Sequence, residues 1–368
     1  MAKLFKNIYN QKFFDALIDA VLQIKSDFDK KSFLTSIFDK EWQNRELKRR
    51  MRHIAIVLKH HLSENFSKNV DTLLLLIHQL ENNGIKEESI EFMFIPDFIE
   101  LYGLEDYNTS VKAFEGITQF TSCEFAVRPF IIKYEDKMMK QMHLWANHKH
   151  EMVRRLATEG CRPRLPWAMA IPSLKNNPDP IIPILERLKN DQSETVRRSV
   201  ANNLNDISKD NPNTVIRLAK SWQGKTIETD WVIKHACRTL LKQGDSAVLK
   251  LFGFGSVENI KINNLEITTP KVKIGTFLEF TFELKNMNSS ATKIRLEYGI
   301  YYQKANRTLS RKVYKISEKE YLENSLTIIH RKQSFKIITT RKFYFGKHQL
   351  SIIINGKEFN KIDFELIE

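Results

Sequence analysis

Two stretches of the chain carry the same helical pattern. The first reads H-E-M-V-R-R-L-A-T-E-G (His150 to Gly160), and the second reads S-E-T-V-R-R-S-V-A-N-N (Ser193 to Asn203). Aligning Val153 with Val196 gives a period of 43 residues, which lies in the range of HEAT-type helical-pair repeats. A single helix pair cannot bury its apolar face alone, so this period predicts stacked helix pairs that depend on their neighbours for stability.

Apolar residues at helical spacing predict further helices on both sides of this repeat. The pattern favours helices over Asn10 to Ile24 and over Lys31 to Phe38. It also favours a buried helix over Leu73 to Leu80, which Asn82-Asn83-Gly84 would end. A degenerate third copy of the repeat follows at Asp230 to Arg238, as is common for a terminal repeat.

The stretch F-E-G-I-T-Q-F-T-S-C-E-F-A-V-R-P-F (Phe114 to Phe130) is strongly apolar, and its spacing also predicts a helix. Glu124 and Arg128 lie four residues apart, so we expect them to share a helix face as an ion pair that is buried or lines a groove. Pro129 is expected to disturb the helix immediately afterwards.

The hydrophobic period changes from helix to strand beyond Gly253-Phe254-Gly255. From Phe277 to Lys285, apolar and polar residues alternate, and Asn355-Gly356 has the composition of a hairpin turn. About seven short strands over roughly 110 residues suggest an immunoglobulin-like sandwich, here without cysteine. We therefore predict a mainly α protein, with a HEAT-like helical-repeat solenoid at residues 1–253 and a C-terminal all-β immunoglobulin-like sandwich at 257–368.

The charge balance points to an anionic partner. The chain has 58 basic and 44 acidic residues, a net charge of +14, and residues 257–368 hold 20 of the basic and 12 of the acidic ones. Such an excess favours binding to nucleic acid, with the sandwich as a second contact. A generally basic protein from a lysine-rich proteome is the alternative. For the basic helix predicted at Arg45 to Ile54, a solvated face and a phosphate contact remain equally open.

Several classes of protein are disfavoured. Cys123, Cys161 and Cys237 are scattered without metal-ligand spacing, so we expect no disulfide framework, no structural zinc and no cofactor. The start M-A-K-L-F-K-N-I-Y-N lacks the apolar core of a signal peptide. The longest apolar run, Leu73 to Ile77, is far shorter than the ~20 residues that a membrane helix needs. We expect a cytoplasmic protein that does not enter the membrane.

Acidic residues among arginines form the candidate chemistry. The repeat alignment places Glu159 opposite Asn202, and Asp206 follows four residues later, so the two acids are expected to lie near each other on one concave face. Carboxylates repel phosphate, so their presence suggests that a cation must be held there. The alternative roles are an ion pair of Glu159 with Arg155 and a helix-end position for Asp206. The expected phosphate ligands are Arg154, Arg155, Arg162, Arg164, Arg197 and Arg198.

Four ordered segments resemble one known family. R-E-L-K-R-R-M-R-H-I, T-Q-F-T-S-C-E-F-A-V-R-P-F, R-R-L-A-T-E-G-C-R-P-R-L-P-W and V-R-R-S-V-A-N-N-L-N-D-I-S-K are similar to segments of the AlkC family of alkylpurine DNA glycosylases. That family is built on HEAT-like repeats and is related to AlkD, and some members carry a C-terminal immunoglobulin-like domain. The resemblance covers the helical part from about Ile8 to Leu251, and the sandwich matches the longer members.

The resemblance implies removal of 3-methyladenine and 3-methylcytosine from double-stranded DNA by a monomer that works without flipping the damaged nucleotide. The family's acidic active-site positions fall on Glu124, Glu159 and Asp206, with Trp167 as a nearby aromatic. The main alternative is a non-catalytic HEAT-repeat adaptor that binds DNA or a protein. A nuclease or a zinc deaminase is disfavoured because the required metal-ligand motifs are missing.

Overall fold

The computed structural model describes residues 5–86, 90–337 and 341–368. The start of the N-terminal segment discussed above, residues 1–4, lies outside these ranges. The helices are α1 (Gln11–Ile24), α2 (Lys30–Ile37), α3 (Leu47–Lys59), α4 (Phe66–Asn82), α5 (Phe94–Tyr102), α6 (Tyr107–Ile117), α7 (Arg128–Trp145), α8 (Glu151–Glu159), α9 (Pro172–Asn176), α10 (Ile182–Leu188), α11 (Glu194–Ile207), α12 (Pro212–Trp222), α13 (Ile227–Ala236), α14 (Arg238–Gln243) and α15 (Ser246–Leu251).

Polar caps determine where several of these helices begin. The Asn10 side chain accepts a hydrogen bond from the Phe13 amide at the start of α1, and Asn65 does the same for Lys68 at the start of α4. Such caps satisfy amide groups that have no partner within the helix. Helices α1 and α2 lie within one residue of the bounds predicted from the sequence. Helix α4 begins seven residues before the expected Leu73 and ends at Asn82, as predicted.

The 43-residue repeat is visible in individual hydrogen bonds. In the first copy, Arg154 Nη1 donates to the carbonyls of His148 at 3.0 Å and Lys149 at 2.9 Å. Arg197, 43 residues later, donates from Nη1 to the carbonyls of Asp191 at 2.6 Å and Gln192 at 3.0 Å. Both arginines thus tie the start of a helix, α8 or α11, to the loop before it. The predicted helical repeat is confirmed.

The helix expected over Phe114 to Phe130 is wrong. Helix α6 ends at Ile117, residues 118–127 form turns, and α7 begins at Arg128 with Pro129 in its first turn. Proline is tolerated there because the first amides of a helix have no intrahelical acceptor. Glu124 consequently lies in a turn, and the expected pair with Arg128 does not form.

The chain divides into two compact units, Met1–Ala236 and Cys237–Glu368. Helices α14 and α15 therefore belong to the same unit as the strands. The change from helix to strand, expected at residues 253–257, falls between Leu251 and Ile260. The strands are β1 (Ile260–Ile267), β2 (Lys271–Lys273), β3 (Phe277–Asn286), β4 (Thr292–Gln303), β5 (Leu309–Tyr321), β6 (Leu326–Ser334), β7 (Gly346–Ile354) and β8 (Lys357–Ile367).

The strands form two sheets, one in the order β1-β3-β6 and the other in the order β2-β8-β7-β4-β5. Alternate side chains of β3 are buried, as the sequence pattern predicts, and they enter the core between apolar residues of both sheets. Asn355 and Gly356 have φ angles of +46° and +78° and connect β7 to β8. Positive φ at both central residues is the requirement of a type I′ turn, so the predicted hairpin is confirmed.

Within the described ranges, no helix combines the length and apolar character needed to cross a membrane.

Candidate active site

A cavity of about 380 Å³ opens between α8, α11 and the turn after α6. Helices α8 and α11 contribute residues at equivalent repeat positions, because Met152 pairs with Thr195 and Glu159 pairs with Asn202 in the 43-residue alignment. The repeat therefore builds two walls of the cavity from one helical pattern. Its lining residues are Ile90, Met93, Thr121, Ser122, Glu124, Met152, Arg155, Glu159, Thr195, Arg198, Ser199 and Asn202.

Glu159, the last residue of α8, lies in the wall of this cavity and is 5% exposed. Its Oε1 atom accepts a hydrogen bond of 2.5 Å from Arg162, and its Oε2 atom accepts one of 2.6 Å from Ser199. Both oxygens are thus held by donors from two directions. The carboxylate is fixed at the cavity wall before any ligand arrives, and it pairs with Arg162, whereas Arg155, the partner in the alternative reading, pairs with Glu124.

Arg162 joins Glu159 to Asp206. Its Nε atom donates to Asp206 Oδ2 at 2.8 Å, and Lys209 donates to the other Asp206 oxygen at 2.8 Å. Burial lowers the pKa of the Arg162 guanidinium, but the charges and hydrogen bonds of Glu159 and Asp206 outweigh burial, so this pKa is raised overall. The two carboxylates and the guanidinium carry a net charge of −1, and the exposed Lys209 ammonium brings the four side chains to neutrality.

Asp206 does not line the cavity, in contrast to the expected placement on one face beside Glu159. It is 1% exposed and reaches the cavity only through Arg162. The reason lies in the loop after α8, which returns the Arg162 side chain to a position between the two helices. Spacing along a helix gives no information about such an insertion.

Glu124 reaches the cavity from the turn between α6 and α7. Its Oε2 atom accepts hydrogen bonds from Arg155 at 2.7 Å and from Ser122 at 2.9 Å. Arg155 also donates to the Ser122 hydroxyl at 3.1 Å, so the three side chains form a closed ring of contacts. The structure thus brings Glu124 and Glu159 to one cavity, each beside an arginine.

The six predicted phosphate ligands separate into three groups. Arg154 is 8% exposed and forms a bidentate pair with Asp191, and Arg197 binds backbone carbonyls. Arg162 is buried between carboxylates, so the geometry of these three gives a phosphate contact no support. Arg155 and Arg198 do line the cavity, and Arg198 also contacts Glu194. The last of the six, Arg164, is partly exposed and pairs with Asp210 at 2.6 and 2.5 Å.

Replacing Arg154 by Met should lower the free energy of unfolding and leave the salt dependence of DNA binding unchanged. The substitution leaves Asp191 as a buried carboxylate without its arginine partner, which lowers the unfolding free energy by about 3 kcal/mol. Urea denaturation gives this value. Arg164→Met should cost less than about 1 kcal/mol, because its pair with Asp210 is exposed. A salt slope reduced by about 0.9 in Arg154→Met would instead assign that arginine to a phosphate.

Trp167 lies in the loop between α8 and α9 and is 67% exposed. Its φ angle is +64°, in the left-handed region that a tryptophan seldom adopts. Backbone strain of this kind persists only where surrounding contacts determine it, and it is common near functional sites. The indole is not among the side chains that line the cavity, but its exposure leaves it open to a ligand.

A smaller cavity of about 150 Å³ adjoins the first one, since Met93 and Ser122 border both. Asp97 lies there with Oδ2 at 2.9 Å from Arg52 Nε, and Arg52 also bonds Glu100 at 2.6 Å. Burial raises the pKa of Asp97 to about 7, against the opposing effect of the Arg52 charge. The sequence pattern did not single out Asp97 or Glu100.

Ser199 is a further site residue that the sequence reasoning missed. A signal for it was present, because the repeat alignment places Ser199 opposite the apolar Leu156. A polar residue at a position that the other copy uses for core packing suggests a buried polar contact, here with Glu159. Ser122 gave no comparable signal, since it lies in a turn outside the repeat.

The described ranges contain no group of three or more His, Cys, Asp or Glu side chains arranged to hold a metal ion.

Two family models match the chain. One, described as "DNA alkylation repair enzyme", matches residues 104–240, which include the cavity carboxylates. The other, described as "Uncharacterised protein YhaZ, C-terminal Ig-like domain", matches residues 261–368 and therefore covers nearly all of the two sheets.

Comparison with whole proteins extends these matches. Uncharacterized protein YhaZ of Bacillus subtilis (strain 168) is 42% identical over 361 residues, which cover 98% of this chain and 99% of that protein. The structure of Pseudomonas fluorescens alkylpurine DNA glycosylase AlkC, bound to DNA containing an abasic site analog, superposes with a TM-score of 0.92 at 31% identity over 100% of both chains. Since these matches extend over the helical repeats and the sheets alike, this chain belongs to the DNA alkylation repair enzymes, in the AlkC-type family with a C-terminal Ig-like domain.

Proposed function

We propose that this protein is a DNA glycosylase that hydrolyses the N-glycosidic bond of cationic alkylated bases, 3-methyladenine and 3-methylcytosine, in double-stranded DNA. The observation that carries the proposal is the placement of two carboxylates, Glu124 and Glu159, in one arginine-bordered cavity. A site for phosphate alone would exclude acids. Carboxylates among arginines suit a ligand that is anionic along its backbone and cationic at its reacting base.

The similarity to the Pseudomonas fluorescens AlkC supports the same function, since that protein was solved with DNA containing an abasic site analog. An abasic site is the product of base removal. A protein that binds this product accommodates DNA at the nucleotide that has lost its base, and we infer that the cavity of this chain accommodates DNA in the same way.

The reaction begins with breakage of the bond between the base and C1′ of the deoxyribose. The bonding electron pair moves onto the base, which loses its positive charge, while the sugar becomes an oxocarbenium-like cation. Water then adds to C1′ and releases a proton, which leaves an abasic sugar and a neutral free base. Methylation at N3 has already made the base a good leaving group, so the protein needs chiefly to stabilise the sugar cation.

Glu159 supplies this stabilisation. A carboxylate about 4 Å from the developing charge contributes roughly 4 kcal/mol at an effective dielectric constant near 20, before Arg162 reduces it. An energy of that size corresponds to about a thousandfold in rate if the attraction strengthens as charge reaches the sugar. Both Glu159 oxygens are held by Arg162 and Ser199, so no reorganisation is required during the reaction.

Glu124 is the better candidate for the group that orients and deprotonates water. The hydrogen bonds from Arg155 and Ser122 both fall on Oε2, so Oε1 has no donor among the described residues. A water held by Oε1 would lie in the cavity opposite Glu159 and could transfer its proton to the carboxylate. Asp206 acts in this scheme through Arg162, and Trp167 contributes a cation–π contact with the charged base.

The protein would act as a monomer in the cytoplasm, without base flipping. The competing function is a non-catalytic helical-repeat adaptor, and one assay separates the two. Purified protein is incubated with methylated duplex DNA, and the released bases are identified by chromatography. We expect free 3-methyladenine and 3-methylcytosine in amounts that increase with time. An adaptor would release neither base above the level of spontaneous loss from a protein-free control.

The sandwich should contribute to DNA affinity through its basic strand β5, an edge of the five-stranded sheet. The exposed side chains Lys312, Lys315 and Lys319 lie along it. Changing all three to Glu should weaken DNA binding and flatten its salt dependence, by about 0.9 in the log–log slope for each phosphate that is no longer neutralised. Because edge lysines also prevent strand pairing between molecules, the triple Gln variant and size-exclusion chromatography control for aggregation. If the salt slope of DNA binding is unchanged in both variants, β5 is not part of the DNA-binding surface.

A further inference from the structure

The loop that carries Trp167 is held at both of its ends by one buried arginine. Arg128, the first residue of α7, donates from Nη1 to the carbonyls of Gly160 at 2.9 Å and Arg162 at 2.8 Å. Its Nε atom donates to the carbonyl of Met169 at 2.7 Å. Arg128 is 0% exposed, and these bonds use three of its five N–H groups, whereas its buried Nη2 atom has no hydrogen-bond partner among the described residues. A single guanidinium thus joins the beginning of the loop to its end.

A second cation holds the middle of the same loop. Lys48, on α3, donates from Nζ to the carbonyl of Trp167 at 2.7 Å. The same ammonium group lies 4.7 Å from the centre of the Phe125 ring, and Phe125 directly follows Glu124 in its turn. Lys48 therefore connects the turn that presents Glu124 to the loop that presents Trp167.

The backbone of this loop needs such support. Trp167 has a φ angle of +64°, and an unsupported tryptophan would relax to negative φ, which would turn the indole away from its present direction. Within the loop, the Ile171 amide donates to the Pro163 carbonyl at 3.2 Å, and the Ala168 amide donates to the Leu165 carbonyl at 3.3 Å. The second bond closes a turn that has Trp167 at its third position. That turn bond does not fix the loop to the rest of the protein, whereas the bonds from Lys48 and Arg128 hold the carbonyls of Trp167 and Met169 against α3 and α7.

We propose that Lys48 and Arg128 are positioning residues, which clamp the Trp167 loop in its strained conformation. They thereby fix the positions of Trp167 and Arg162 relative to Glu124. Neither side chain is assigned to the reacting atoms. The basic motif on α3 then has a role other than a solvated face or a phosphate contact, at least at Lys48. The clamp itself is a property of the free protein, and only its effect on turnover rests on the proposed glycosylase function.

Limited digestion with trypsin tests the clamp directly. Trypsin cleaves after arginine but not before proline, so the loop offers cleavage after Arg164, whereas Pro163 protects Arg162. Cleavage requires the loop to open locally. In Lys48→Gln we expect cleavage after Arg164 to be at least five times faster than in the parent protein, with the melting temperature unchanged and the other cleavage sites unchanged except for the site at Lys48, which the substitution removes. Lys68→Gln, which removes an exposed lysine of α4, should match the parent. Equal cleavage in Lys48→Gln and the parent would overturn the proposal.

Kinetics separate the clamp from a phosphate contact. Misplacement of a group by about 1 Å can cost roughly a hundredfold in rate, so we expect kcat to fall 10- to 100-fold in Lys48→Gln with KM changed less than threefold. A phosphate contact would instead raise KM and lower the salt slope by about 0.9, and that result would overturn the assignment of Lys48.

Arg128→Lys, which keeps the buried charge but cannot span three carbonyls, should show the same increase in cleavage after Arg164 and the same loss of kcat as Lys48→Gln. If the parent released no base, the proposed function would fail while the digestion would still decide on the clamp.

Discussion

Replacing Glu159 by Gln should lower the rate of base release by two to three orders of magnitude, because it removes the charge closest to the developing sugar cation; roughly 4 kcal/mol of stabilisation corresponds to about a thousandfold. DNA affinity should stay the same or increase, since one negative charge leaves a surface that faces phosphates. Glutamine keeps the size of the side chain, its carbonyl oxygen can accept the bond from Arg162, and its NH2 group can donate to the Ser199 hydroxyl oxygen in place of the bond that Glu159 accepts there. Single-turnover kinetics on methylated duplex DNA measure the rate, and fluorescence titration measures the affinity.

Glu151→Gln provides the matched control. Glu151 lies on the same helix α8, is exposed, and contacts Ser193 away from the cavity lining, so its replacement should leave the rate within twofold of the parent. Full activity of Glu159→Gln would show that its carboxylate does not stabilise the transition state. A parallel loss of rate and DNA affinity would indicate that the substitution disturbs the groove as a whole.

Local sequence patterns predict the elements of this fold well, because the responsible interactions are local. Val153 and Val196 lie in register since each copy of the repeat packs its apolar stripe on the next. Asn355-Gly356 forms a hairpin because these residues accept positive φ at little cost. In both cases the chemistry of a few neighbouring residues decides the backbone conformation.

The side-chain partners could not be predicted in the same way. Helical spacing pairs Glu124 with Arg128, yet a new helix begins at Arg128, and Glu124 instead contacts Arg155 of another helix. Arg154 and Arg197 look like phosphate ligands in the sequence, whereas loop carbonyls, whose position depends on the tertiary structure, occupy them. Long charged side chains reach several partners, and only packing selects among these.

The buried charges beside the cavity also explain why acids and arginines alternate in this region. An isolated carboxylate at the position of Glu159 would be costly to bury, so Arg162 stabilises it. An isolated ion pair of Glu159 with Arg162 would be neutral and would attract a cation only weakly. Asp206 shares the guanidinium and so reduces the positive charge that Arg162 directs at Glu159, although the exposed Lys209 ammonium offsets part of the Asp206 charge. The arrangement keeps a carboxylate buried and rigid and still leaves it attractive to a positive ligand.

Because Glu159 and Asp206 share Arg162, we also expect a large effect on base release from Asp206→Asn. Without the Asp206 charge, Arg162 neutralises Glu159 alone, so base release should fall by about 10- to 100-fold, equivalent to roughly 1.4 to 2.7 kcal/mol. The unfolding free energy should fall by about 2 to 3 kcal/mol, less than for a guanidinium left without any partner, because Arg162 retains Glu159. Base-release kinetics and urea denaturation measure the two effects.

A double-mutant cycle identifies the route by which Asp206 acts. If its charge works through Arg162 on Glu159, then adding Asp206→Asn to Glu159→Gln should lower the rate less than threefold further, since the affected carboxylate is already gone. If Asp206 touched the reacting nucleotide itself, the two losses would multiply in full. Asp206 is 1% exposed and has its two oxygens occupied by Arg162 and Lys209, so the coupled outcome is the expected one. If the two losses multiply in full, Asp206 must contact the nucleotide at the cavity surface. The Arg162 guanidinium would then have to move aside when DNA binds.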